Sequence, residues 1–145
     1  MSEQNKALVR RFLEEVFNNA RPEVIPELIA DDYVDHGASP GQAAGAEGAR
    51  QIYDVFRAAF PDLRVEIHDL VAENDLVAVR ATFSGTSKGP LMGAPPTGKP
   101  VELASMVFIR ILDGRLVERW EQADMMGLML QLGVLAQSGE SGGDT

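Results

Sequence analysis

Cysteine is absent from this 145-residue chain. Thiol catalysis, thiolate metal sites and a disulfide framework are thereby excluded. Long apolar runs are missing as well. None reaches the ~18 residues expected of a membrane-spanning helix. The opening Met-Ser-Glu-Gln-Asn-Lys lacks the basic stretch and apolar core of a secretory signal. The expectation is a soluble, cytoplasmic protein with no membrane partner. Basic charge is scarce: 13 Lys and Arg stand against 22 Asp and Glu, a formal net charge of −9. The mean field repels phosphate backbones, and Arg10-Arg11 is the only adjacent basic pair, so nucleic-acid binding is set aside.

Histidine occurs twice, as His36 and His68. There is no H-E-x-x-H motif, no Cys-His cluster and no Asp-rich calcium loop, so neither a metal nor a cofactor is expected. A G-x-S-x-G elbow and a phosphate-binding glycine loop are also missing. What remains is acid–base chemistry by carboxylate and imidazole.

The patterning that is present describes one domain over residues 1–137, followed by a small, polar tail at 138–145. Leu8, Val9, Phe12, Leu13, Val16 and Phe17 recur at helical spacing. Pro22 opens a second helix that Pro26 keeps short or kinked. Residues 31–36 read as a short strand, and residues 46–60 as a third helix stopped by Pro61. The period then changes. Leu63, Val65, Ile67 and Val71 alternate as in a half-buried strand, and strands follow at 76–86, 101–112 and 115–124. Asp113-Gly114 is a hairpin signal, and residues 125–132 form a closing helix. Helices first and hairpin-linked strands after them predict an α+β domain, with an antiparallel sheet covered by helices on one face. The strands at 76–86 and 101–112 are apolar on both faces. The uncovered face is therefore expected to pair with a second copy as a homodimer.

Period-two alternation puts Leu116, Glu118, Trp120, Gln122 and Asp124 on one face of the last strand and sends Arg119 to the other. If the first face lines a pocket, desolvation beside Trp120 and the following methionines raises the Asp124 pKa toward neutrality; the plain alternative is a helix N-cap. His36 is either a pocket imidazole, with Asp35 fixing its tautomer, or a loop histidine bonded to nearby backbone. His68, with Arg64 and Glu66, reads as a solvated sheet face. Trp120 either fills the core or walls a flat ligand slot. The loop at 90–100 is either a lid or a strand connection.

Several short segments, in order, resemble the SnoaL-like polyketide cyclase (ester cyclase) family of the nuclear transport factor 2-like superfamily. They are Tyr33-Val34-Asp35-His36, Phe60-Pro61-Asp62, residues 77–86 ending Phe-Ser-Gly-Thr, residues 92–99, residues 113–118, and Trp120, Asp124, Gly127 and Gln131-Leu132-Gly133. The resemblance covers about Lys6 to Gly133. It implies a cone-shaped α+β barrel around an apolar pocket, assembly as dimers or larger oligomers, and cofactor-free aldol ring closure with an aspartate matching Asp124 as acid–base. Many relatives carry His before the tryptophan; this chain has Arg119. The expected site is Asp124 and His36 as catalytic groups, with Trp120, Tyr33, Met92, Met106 and Phe56 contacting a small apolar ligand. Two other readings stand beside it. One is another cofactor-free enzyme, such as a ketosteroid-isomerase-like isomerase, a dehydratase, or an epoxide hydrolase needing an Asp–Arg–Asp relay that spacing does not locate. The other is a pocket that binds without turnover.

Overall fold

The computed structural model describes residues 2–134; the expected polar tail lies outside the described residues. Helix α1, Ser2–Phe12, presents Val9 to the interior and runs on through a wider π-type turn, Leu13–Asn18. A short 3-10 turn at Pro22–Val24 leads into α2, Ile25–Leu28, which has proline in its first turn and spans one turn only. Strand β1, Ile29–Asp35, and helix α3, Gly45–Ala59, follow. The remaining strands are β2, Arg64–Glu73, β3, Leu76–Thr86, β4, Pro100–Leu112, and β5, Arg115–Ala123. Helix α4, Met125–Gln131, closes the order.

The domain is α+β, as the change of period at Pro61 predicts. The sheet runs β1-β5-β4-β3-β2 and is curved but unclosed. One element departs from an all-antiparallel sheet: β1 lies parallel to β5 at the edge. Hairpins force β2 to β5 to alternate direction. No hairpin ties β1 to its neighbour, because α3 and three strands intervene, so its direction is free. The Asp113-Gly114 turn has positive φ at both residues, 53° and 75°, as a two-residue hairpin requires.

The helices cover one sheet face. Val9, Leu13, Val16, Ile25, Leu28 and Tyr53 pack there against Val65, Val77, Val79, Ile109 and Leu116. Side chains as buried as Ile25, Leu28 and Leu116 each contribute about 1.5–3 kcal/mol. A second cluster at the far end joins Phe60, Leu63, Leu91, Ala94, Leu128 and Leu132. Two of the resembling segments meet beside it. The Thr86 N–H and hydroxyl donate to Asp62 at 2.7 and 2.8 Å, and a Cβ on Gly85 would stand 2.7 Å from that of Phe60.

The loop between β3 and β4 is pinned along its length. The N–H groups of Lys88 and Gly89 donate to the Ala59 carbonyl, the Thr97 N–H donates to Ser87 Oγ, and Leu91 and Ala94 bridge each other. Met92 is left at the tip of that turn, 51% exposed with φ 50°. It does not reach the interior as expected.

Candidate active site

Two bulges decide which side chains enter the interior. In the β4–β5 ladder Arg110 pairs with Glu118, but Ile111 pairs with Leu116, leaving Val117 as the extra residue. A bulge reverses the alternation beyond it. Leu116 and Arg119 therefore face inward together, followed by Glu121 and Ala123, while Glu118, Trp120 and Gln122 face outward. In β2 the register shifts between Ile67 and Asp69. Leu70 then packs on the core, and Val71, expected inside, is 60% exposed.

The interior face carries two adjoining cavities. The first is lined by Phe17, Ile52, Phe56, Phe60, Leu63, Phe83, Leu103, Arg119, Glu121, Ala123 and Met125, among others. The second is lined by Phe12, Phe17, Tyr33, Asp35, Ile52, Phe83, Val107, Ile109, Arg119 and Glu121, among others. With their mouths and the open solvent there included, they enclose about 640 and 650 Å³ not filled by atoms.

One wall is polar. The Arg119 guanidinium donates through one terminal nitrogen to both oxygens of Asp35, at 2.9 and 3.0 Å, and through the other to Glu121 Oε1 at 2.5 Å. The other oxygen of Glu121 accepts from the buried Ser105 hydroxyl at 2.7 Å. Asp35 also accepts from the Gly37 N–H at 2.9 Å and from Gln42 at 3.4 Å. Parallel pairing of Asp35 with Arg119 in the β1–β5 ladder brings these residues together. Burial alone would lower the Arg119 pKa, but Glu121, Tyr33 and Asp35 around it raise it above its ordinary value, so the guanidinium stays charged. Burial pushes the Tyr33 phenol well above its ordinary range, helped by Asp35 and Glu121 and opposed by Arg119. It stays neutral and able to donate.

The expected site residues divide. Tyr33 lines the second cavity and Phe56 the first. Five expected placements are corrected. Trp120 pairs with Phe108 across the ladder and lies on the outer sheet face, because the Val117 bulge reverses the alternation. Met106 is 60% exposed on that same face. His36 lies there too: its ring stacks on Trp120 at 4.8 Å and 8°, and its Nε2 is 2.7 Å from Glu118 Oε2. Glu118, not Asp35, is the carboxylate within hydrogen-bond reach of that ring. Arg110 completes this outer cluster, 5.7 Å from the Trp120 ring and bonded to Glu118 and Asp75. Asp124 is exposed and accepts the Gly127 N–H at 2.9 Å as the N-cap of α4. The desolvation expected around it is absent. Arg119, expected outside, is inside. His68 is exposed and bonds Thr82 at 2.8 Å, as a solvated sheet face would.

Sequence spacing missed Arg119, Glu121 and Ser105. Opposite charges two apart on a strand ordinarily mark a solvated face. The one usable signal is that the residues facing them on β4, Val107 and Ile109, are apolar. Among the described residues no group of three or more His, Cys, Asp or Glu side chains is arranged to hold a metal ion.

Known proteins share this architecture and sequence pattern. The chain is 28% identical over 123 residues to nogalonic acid methyl ester cyclase of Streptomyces nogalater, covering 81% of this chain and 89% of that one. It is 28% identical over 131 residues to an aklanonic acid methyl ester cyclase of Streptomyces sp. strain C5, covering 87% and 80%. Among solved structures, TsrD of Streptomyces laurentii superposes with a TM-score of 0.83 at 29% identity, over 92% of this chain and 97% of that one. IdmH of Streptomyces antibioticus does so at 0.77 and 33% identity, over 90% and 99%. Residues 7–132 match the family profile described as SnoaL-like polyketide cyclase, and the chain belongs to that family.

Proposed function

We propose that this protein closes a ring in a small, largely apolar polyketide ester by cofactor-free intramolecular aldol addition, with Glu121 as acid–base and Arg119 as the stabiliser of developing negative charge. The observation that carries the reading is the Asp35–Arg119–Glu121 wall in an otherwise apolar interior. Glu121 borders both cavities, and Asp35 only the second. Aldol closure needs a proton taken from carbon beside a carbonyl, shelter for the enolate oxygen, and a proton returned to the new alkoxide. A carboxylate can take and return that proton in turn, with help worth about 10²–10⁴-fold. Arg119 carries five N–H donors, and its fixed guanidinium suits an oxyanion in a dry site. Tyr33 supplies a further neutral hydroxyl. The expected base, Asp124, lies outside this wall, at the N-terminus of α4.

The test is incubation with the methyl esters of nogalonic and aklanonic acid, the compounds named for the two relatives. The expected outcome is a cyclised product of unchanged mass; no turnover of either would count against the reading. A second reading has one observation in its favour. Asp35, Arg119 and Glu121 form a carboxylate–arginine–carboxylate relay, the arrangement an epoxide hydrolase needs. Diol formation from a cyclic epoxide, without ring closure of the esters, would favour it.

The assembly is a homodimer through the outer sheet face, working in the cytoplasm. Met106 and Phe108 are 60% and 53% exposed there beside Trp120, an apolar patch of the kind that marks contacts. A monomeric mass by light scattering at micromolar concentration would contradict it.

A further inference from the structure

The two cavities share five lining residues, Phe17, Ile52, Phe83, Arg119 and Glu121. Phe17 comes from the helical layer and Phe83 from β3 of the sheet, so the two rings approach from opposite walls. Their centroids are 5.3 Å apart at 79°, an edge-to-face contact with no room for a third ring between them. The interior is therefore interrupted at this pair, and a ligand spanning both lobes has to part it.

The Phe17 side of the pair is built to stay in place. It sits in the π-type turn, where the Asn19 N–H reaches the Glu14 carbonyl five residues back at 2.8 Å. That widened turn puts Phe17 against Phe12, five residues earlier, edge-on at 6.0 Å. On an ordinary α-helix, residues five apart point away from each other. Such turns often occur at functional positions. Two anchors fix the segment. Arg57 of α3 donates to the Phe17 carbonyl at 2.5 Å, while its own Nε is buried without a partner. Asn18 exchanges two hydrogen bonds, at 3.0 and 2.7 Å, with the backbone of Val65 on β2.

We infer that Phe17 is a specificity-determining residue: it partitions the cavity and limits how long a planar ligand the interior accepts. The polar wall borders both lobes, so a compact ligand in either one meets Arg119 and Glu121, whereas an extended one meets the ring of Phe17. This inference rests on the interior being the ligand site, but its test reads binding and not turnover. Wild type, Phe17→Ala and Phe17→Leu are titrated calorimetrically with 2-naphthol and 1-hydroxyanthraquinone, each variant checked for a cooperative thermal transition. Wild type is expected to prefer the two-ring probe while still binding the three-ring one, whose nucleus the anthraquinone esters above share. Phe17→Ala is expected to bind the three-ring probe about tenfold or more tighter than wild type does, a gain of the size a reshaped apolar pocket gives. The two-ring affinity should change less. Phe17→Leu, which keeps an apolar side chain, is the second variant should the alanine one not fold, with a smaller gain in the same direction. An unchanged ratio of the two affinities in a folded variant, or no binding of either probe by any form, overturns the inference. A shifted ratio with no ring closure leaves the partition standing and sinks only the cyclase reading.

Discussion

Arg119 and Trp120 are neighbours in the chain and face opposite sides of the sheet: the guanidinium joins Asp35 and Glu121 at 2.5–3.0 Å in the interior, while the indole stacks on His36 outside. The one-residue bulge at Val117 sets which of the two enters the cavity. The rest of the site follows from that choice.

Arg119→Met should destabilise the fold. The variant leaves Asp35 and Glu121, side chains 11% and 22% exposed, facing each other without their shared cation. Removing one partner of a buried charge network costs about 3 kcal/mol or more. The urea midpoint should fall accordingly. An unchanged midpoint would mean that water reaches the carboxylates and the wall is not dry.

Asp62→Asn should make stability less dependent on pH in acid. The backbone N–H of Thr86, then its hydroxyl, hold the Asp62 pKa below its ordinary value. A lowered folded-state pKa means that the stabilisation is present above the unfolded value and is lost as pH falls through the folded one. The variant should therefore be slightly less stable at pH 7, since the carboxylate is exposed and water screens it. The gap to wild type should close as pH falls below the ordinary aspartate range. A constant gap across urea melts at these pH values would show that the charge plays no part.

Phe108→Asp places a carboxylate in the middle of the exposed outer patch, opposite Trp120. Light scattering is expected to show the mass of the proposed dimer halved, with the melting transition retained. A variant that remains dimeric would move the interface to another surface.

Asp124→Ala removes the N-cap of α4 and should cost about 1 kcal/mol, whereas Asp124→Asn, also a good cap, should melt close to wild type. Equal melting of all three forms would show that the Gly127 N–H bond adds nothing.

The fold was largely legible before the structure because its signals are local. Pro61 marks the change of period, Asp113-Gly114 turns one hairpin, and β3 runs over the expected residues 76–86. The site was less legible. Tyr33 and Phe56 face the interior as expected, but every assignment on β5 depended on strict alternation. A bulge has no mark in the sequence when the extra residue is an ordinary valine. The shift near His68 displaced Val71 for the same reason. The π-type turn is equally silent: Phe12 and Phe17 read as one helical stripe, and only the geometry shows that they touch.

The central claim is that the carboxylate on the cavity wall, and not the one capping α4, moves the proton. The most direct measurement is the rate of ring closure of aklanonic acid methyl ester by Glu121→Gln and by Asp124→Asn, each compared with wild type. Glu121→Gln keeps the shape and removes the acid–base group, so its rate should fall by about 10²–10⁴-fold. Asp124→Asn should stay within about threefold, as expected of a cap whose replacement still accepts the Gly127 N–H. Full activity in Glu121→Gln together with a collapse in Asp124→Asn would contradict the account and return the chemistry to Asp124.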